Sequence, residues 1–225
     1  MINQYNTRLA LDIDGTTHDS LPFVLDVTNR ALQENGFNHV SMETYKLHFD
    51  PRDWTCMYAH LGAGYEHADA VIASFYKLYK QVGNPPPIPG AINAVLEAKD
   101  ALGHENVSFI THELREKVLT RFERDGLTRF LDTTVYVGNS KANALYQEAK
   151  KDSSRLIYVG DLTTDGISCQ EAREMGADNL FFYGLTHEYA GHPENRMRLF
   201  ISANPEFARE LKHITQLHTV WKNSK

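Results

Sequence analysis

From residue 88 onward, short apolar runs alternate with longer stretches of helical periodicity, and this alternation limits the fold more than any other feature. A helix is predicted over 91–102, with Ile92, Val95 and Leu96 inward and Gly103 as its stop. A strand over 107–111 follows, then a helix over 113–125 carrying Leu114, Val118, Leu119 and Phe122, stopped at Gly126. Further strands are expected at 134–137, 156–159, 179–183 and 199–201, with helices at 142–151, 167–175 and 205–216. Strands joined through helices need right-handed crossovers, so the expectation is an α/β chain with a mostly parallel sheet covered on both faces.

Ahead of this region lies Leu9-Ala10-Leu11-Asp12-Ile13-Asp14-Gly15-Thr16-Thr17, an apolar run ending in two carboxylates, a glycine and two hydroxyls. On a strand, residues i and i+2 face the same way, which predicts that Asp12 and Asp14 leave the strand end together. Two such carboxylates repel unless a cation sits between them or one holds a proton. Burial at a strand end penalises both charges, so the pair points to a metal or acid–base site.

Between this strand and the alternating region, 21–82 reads as helices alone. Ser20 and Pro22 open the first, whose apolar positions are Phe23, Val24, Val27, Ala31 and Leu32, with Gly36 as its stop. A short helix from Ser41 to Tyr45 and one from Asp50 to Gly62 follow. A longer one carries Val71, Ile72, Phe75, Leu78, Tyr79 and Val82 on one face. Pro85, Pro86, Pro87 and Pro89 then form a stiff connector. The predicted organisation is a core of 1–18 and 88–225 with a small all-helical insertion, 19–87, after the first strand.

In an open parallel sheet, ligands bind at the carboxyl ends of the strands. There the sequence places Asp12 and Asp14, then Thr111, then Gly160-Asp161 with Asp165, and Lys141 in the loop after 134–137. Four carboxylates repel a phosphate unaided, but one hard dication such as Mg²⁺ reverses the balance. Thr111 and Lys141 would then supply donors to phosphate oxygens. The formal charge of −6 gives no support to a nucleic-acid polymer as partner. No stretch of 18 apolar residues suggests a membrane span, and the short polar start leaves no room for a secretory signal. Cys56 and Cys169 are too few for a disulfide framework, and a cytoplasmic address is expected.

The Asp12-Ile13-Asp14-Gly15-Thr16 signature, Thr111 ending an apolar strand, Lys141, and Gly160-Asp161 with Asp165 resemble the haloacid dehalogenase-like hydrolase superfamily over about residues 8–185. The resemblance is to its phosphatase branch with an inserted helical cap, like phosphoglycolate phosphatases and β-phosphoglucomutases. It implies a Rossmann-like three-layer core and a Mg²⁺-dependent reaction on a small phosphorylated metabolite. Asp12 would be the nucleophile that forms an aspartyl-phosphate, and Asp14 the acid and base. Mg²⁺ would be held by Asp12, the Asp14 backbone carbonyl and Asp161, with Asp165 behind them. Thr111 and Lys141 would grip the phosphoryl group. In relatives proline usually follows this lysine, whereas here Ala142 does. An acid at Asp14 favours phosphate esters over carbon–halogen or carbon–phosphorus bonds.

The cap residues Arg52, Trp54, Tyr58 and His60 form the pool for leaving-group recognition. Arg52 is the foremost polar contact, and helical spacing assigns the aromatics to packing. His18 and His112 adjoin motif residues. A phosphomutase of the same superfamily is the main alternative, and a non-enzymatic phosphoacceptor module a more distant one. A monomer or homodimer fits either enzyme.

Overall fold

A computed structural model describes residues 6–138 and 140–222. The first five and last three residues of the expected core thus lie outside the described residues. Six strands, β1 (Thr7–Leu11), β2 (Val107–Thr111), β3 (Thr134–Tyr136), β4 (Arg155–Gly160), β5 (Leu180–Leu185) and β6 (Ala208–Leu211), form one sheet in the order β3-β2-β1-β4-β5-β6. Every neighbouring pair is parallel. The order reverses direction beside β1, which makes the carboxyl ends of β1 and β4 the crevice of a doubly wound sheet.

Alternation along β1 separates two cores. Leu9 and Leu11 pack with Phe109, Ile157 and Val159 against α5 (Ala91–Leu102), α6 (Arg115–Asp125) and α10 (His218–Lys222). Ala10 packs with Ile110, Leu156 and Tyr158 against α7 (Lys141–Ala149), α8 (Thr163–Glu174) and α9 (Glu194–Ala203). The result is the expected three-layer, Rossmann-like α/β core.

Two segments of the core differ in kind from expectation, and α8 starts at Thr163 rather than at 167. Residues 199–201 lie in α9, where Met197, Phe200 and Ile201 share the core-facing side and Pro193 precedes the first turn. Within 205–216 the expected helix is replaced by β6 and a short turn of helix at Ile214–Gln216. Ala208-Arg209-Glu210-Leu211 has helix-forming residues, but pairing with β5 overrides that preference. Only its two ends are buried, as suits a charged edge strand.

The insertion holds α1 (Leu21–Glu34), α2 (Met42–His48), α3 (Trp54–Tyr58) and α4 (Ala68–Tyr79). They close around their own apolar cluster, including Val27, Leu32, Tyr45, Tyr58, Val71 and Phe75. The expected helix from Asp50 to Gly62 is shorter, because Gly62 takes φ 104° and the chain widens over Ala59–Ala63. The two chain crossings lie side by side. The Asp19 N–H donates to Pro86 O and the Ile88 N–H to Thr17 O, both at 2.9 Å, and His18 bridges to Pro87.

Candidate active site

β1 ends at Leu11, although the Asp12 N–H still donates to Val159 O at 2.9 Å. Beyond it the chain turns, with the Thr17 and His18 N–H groups both donating to Ile13 O. Gly15 makes this turn possible. It takes φ 68°, and a Cβ there would fall 2.1 Å from Asp161 Oδ2.

The turn overrules the expectation that Asp12 and Asp14 point together, since i, i+2 alternation holds only while the chain stays extended. Asp12 joins Lys141, whose ammonium donates to Asp12 Oδ2 at 2.6 Å and to Asp165 Oδ1 at 2.8 Å. Lys141 is the first residue of α7 rather than part of a loop. Asp14 instead meets Arg121 of α6, whose Nη1 donates to Asp14 Oδ1 at 2.7 Å. Each aspartate thus has its own cation, on opposite faces of the sheet.

Asp12, Asp161 and Asp165 are buried, and one oxygen from each lies within 4.8 Å of the others. Asp165 is fully engaged: Oδ1 also accepts from the Tyr158 hydroxyl at 3.2 Å and Oδ2 from the Leu162 N–H at 3.1 Å. This makes it a support for Lys141 and for the start of α8. Asp161 accepts from Gly191 N–H at 2.7 Å and from the Thr16 hydroxyl at 3.3 Å. The Lys141 ammonium thus pairs with two of the three buried carboxylates, and among the described residues Asp161 has neutral donors only. Burial pushes Asp12 up to about 7 against the pull of Lys141. Burial, with repulsion from Asp165 and Asp12, holds Asp161 well above the carboxylate range. For Lys141, burial opposes the charge, but Asp12 and Asp165 outweigh it and raise its pKa. An all-oxygen donor set with excess negative charge fits a hard dication.

Thr111 ends β2 fully buried, and its Oγ1 accepts from the Glu113 N–H at 3.0 Å. Among the described residues Arg52, with its side chain half exposed, makes its ion pair with Asp50 and none with Asp12, Asp161 or Asp165. Trp54 and Tyr58 stack with ring centroids 6.1 Å apart and pack on Phe75, as helical spacing implied. His60 bonds the Cys56 carbonyl and stacks on His48, and His112 bonds Gly138 O from an exposed position.

Residues 9–175 match the haloacid dehalogenase-like hydrolase family. The chain belongs to that family. Among solved structures it is similar to a haloacid dehalogenase-like hydrolase from Streptococcus pneumoniae, with a TM-score of 0.71 and 14% identity, covering 98% of this chain and 99% of that one. A HAD family hydrolase from Deinococcus radiodurans with bound phosphate and sodium gives 0.67 and 16%, covering 96% and 95%. A predicted phosphoglycolate phosphatase from Haemophilus somnus gives 0.65 and 17%, covering 95% and 96%. At these identities the likeness is one of fold. No curated protein matches the sequence.

Several residues that surround this hydrolase site carry no mark in the sequence. Lys46 of α2 reaches across to donate to Glu188 O at 2.8 Å. Burial lowers its pKa, while Asp161, Asp19 and Glu188 draw it back up. The loop after β5 supplies Gly191, His187 and His192. His192 Nδ1 accepts from the Thr163 N–H at 2.9 Å, so its hydrogen sits on Nε2, which donates to Phe49 O at 2.7 Å and ties the core to the insertion. His187 Nε2 donates to Gly15 O at 2.9 Å. For His187 and His192 the sequence offers only a total of eleven scattered histidines, and for Lys46 and Gly191 nothing. No helix among the described residues is long and apolar enough to cross a membrane.

Burial holds both His187 and His192 down at about 4. Their unfolded value is about 6.5, so between those limits the unfolded chain binds the extra proton, and stability falls as pH drops. The slope is about 1.4 kcal/mol per pH unit for each histidine. In His187→Gln that contribution disappears, since glutamine keeps a donor for Gly15 O and does not titrate. The gap in thermal midpoint between wild type and variant should therefore shift in the variant's favour from pH 7 to pH 5. A gap that stays constant with pH contradicts the buried neutral imidazole.

Proposed function

We propose that this hydrolase is a Mg²⁺-dependent phosphatase acting on a small phosphorylated metabolite through an aspartyl-phosphate. Residues 19–87 then serve as its cap. The observation that carries this reading is the buried Asp12 carboxylate, held by the Lys141 ammonium at 2.6 Å beside Asp161. Asp12 has an oxygen to attack phosphorus with, and Lys141 fixes its direction while offering positive charge to the equatorial phosphate oxygens. As the Asp12 O–P bond forms, the bond to the leaving oxygen breaks, and Asp14, which Arg121 holds ionised here against the effect of burial, would first take a proton from solvent and then give it to that oxygen. Asp14 then takes a proton from the water that attacks phosphorus, and phosphate departs as the aspartyl bond breaks. Thr111, at the end of β2, contributes a hydroxyl to the phosphoryl oxygens. Asp12, Asp161 and the Asp14 backbone carbonyl would hold Mg²⁺, with Asp165 bracing them, and its charge would neutralise the phosphate and the carboxylates.

The leaving group faces the cap, where Lys46 offers a cation and favours an acidic metabolite. Phosphoglycolate, named for the Haemophilus relative, is a natural first compound to test. Arg52 would take part only after leaving Asp50. The free thiols Cys56 and Cys169 suit a reducing cytoplasm.

Chelation should abolish phosphate release from such substrates, and Mg²⁺ should restore it. Mg²⁺ should also raise the thermal midpoint of wild type and do so far less for Asp161→Asn. Activity that survives chelation would remove the metal from the reading. Isomerised sugar phosphate in place of released phosphate would turn the assignment to a mutase.

A further inference from the structure

Helix α6 and the residues just before it carry Glu113, Lys117, Arg121 and Asp125 at every fourth position, and all four side chains are turned inward. Leu114 and Leu119, expected in the core, are each 40% exposed instead. The charged stripe faces the crossings between core and insertion. Lys117 donates to Val82 O at 3.1 Å and lies 4.4 Å over the Tyr79 ring. Arg124 donates to Pro85 O at 2.7 Å, and Asp125 meets His18 Nε2 at 2.9 Å.

In the middle of the stripe the contacts form a chain. The Tyr79 hydroxyl, on the last residue of α4, donates to Glu113 Oε2 at 2.5 Å. Glu113 pairs with Arg121 Nη2, and Arg121 Nη1 pairs with Asp14 at 2.7 Å. Arg121 is 1% exposed, so its fork is fixed by its two carboxylate partners. Resting on the phosphatase reading above, we propose that Arg121 is a positioning residue that sets the Asp14 carboxylate according to where the cap stands. Tyr79 and Glu113 carry the cap's position to it. Tyr79 ends α4 on the segment that leads into the proline connector, so a swing of α4 withdraws the hydroxyl from Glu113 and loosens the guanidinium. Asp14 must sit within hydrogen-bond reach of the leaving oxygen and of water, and displacement by about 1 Å is enough to slow such chemistry strongly.

The test is a double-mutant cycle on the Mg²⁺-loaded full chain, read as the single-turnover rate of inorganic phosphate release from p-nitrophenyl phosphate. This leaving group departs without a proton, so the aspartyl-phosphate still forms in Asp14→Asn and its slower hydrolysis stays measurable. In wild type that hydrolysis uses Asp14 as the base for water. Tyr79→Phe should slow wild type by about tenfold and leave the Asp14→Asn rate unchanged, because the hydroxyl acts through Asp14. Arg121→Lys keeps the charge and loses the fork. It should lower kcat by about tenfold with KM within about twofold. Equal losses from Tyr79→Phe in both backgrounds, or an Arg121→Lys defect carried by KM, overturn the relay and leave the phosphatase standing. A wild-type protein that releases no phosphate overturns the phosphatase reading, and the relay with it.

Discussion

Asp12→Asn is expected to lower turnover of phosphate monoesters by at least about four orders of magnitude while the protein stays folded. The amide has no anionic oxygen with which to attack phosphorus, so no aspartyl-phosphate forms. Its shape is nearly that of the carboxylate, and its oxygen can still accept from Lys141, which now approaches Asp12 at 2.6 Å. The Ile13 N–H, which donates to Asp12 Oδ1 at 2.8 Å, then faces the amide NH2 and loses its acceptor, so a small loss of stability should accompany the loss of turnover. Phosphate release, with circular dichroism as the control for folding, checks this directly. Retention of even a tenth of wild-type turnover would remove Asp12 from its role.

Lys141→Ala should damage both activity and stability. Its ammonium is the shared partner of Asp12 and Asp165, and all three side chains are buried. Removing one partner of a buried ion pair typically costs about 3–5 kcal/mol, since the remaining charge has neither water nor counterion. Two carboxylates are stranded here, so chemical denaturation should report a loss at the upper end of that range. Mg²⁺ should recover part of the stability by supplying positive charge to the same carboxylates, and no turnover, because the phosphoryl grip is gone. Lys141→Arg should fail as well, since a planar fork does not fit between two carboxylates arranged around a point charge. A variant as stable as wild type in chelator would mean that the carboxylates find other partners.

The carboxyl-end rule for parallel sheets groups Asp12, Asp161 and Lys141, and in the structure Lys141 bonds Asp12 while an Asp161 oxygen lies within 4.8 Å of one from Asp12. Each stands where a strand hands over to the next segment, and strand ends are readable from apolar runs. What the sequence hid was direction. The i, i+2 rule sends Asp12 and Asp14 the same way, and a turn centred on Ile13 undoes that within two residues. Arg121 and Glu113 were hidden differently. A charged residue on an amphipathic helix is normally assigned to solvent, so the sequence orients α6 by Leu114, Val118, Leu119 and Phe122, of which Val118 and Phe122 are buried and the two leucines lie outside. Their fourfold spacing with Lys117 and Asp125 was visible, but only the insertion packed against them explains their burial. The last third misled for a simpler reason. Helix-forming residues were drawn into β6 by pairing with β5, and residues 199–201 belong to α9, which turns Met197, Phe200 and Ile201 toward the core.

The paired crossings at His18 and Pro87 have a consequence for how such a chain can diverge. Because the helical unit leaves and re-enters the core at adjacent points, the core sees it as a loop whose ends already meet. Doubling the length of a flexible loop adds only about 0.6 kcal/mol of closure entropy. The unit can therefore grow, shrink or be exchanged with little penalty to the sheet that carries Asp12, Lys141 and Asp161. On the phosphatase reading, choice of substrate can drift in this way as long as the incoming unit restores the hydroxyl that Tyr79 gives to Glu113.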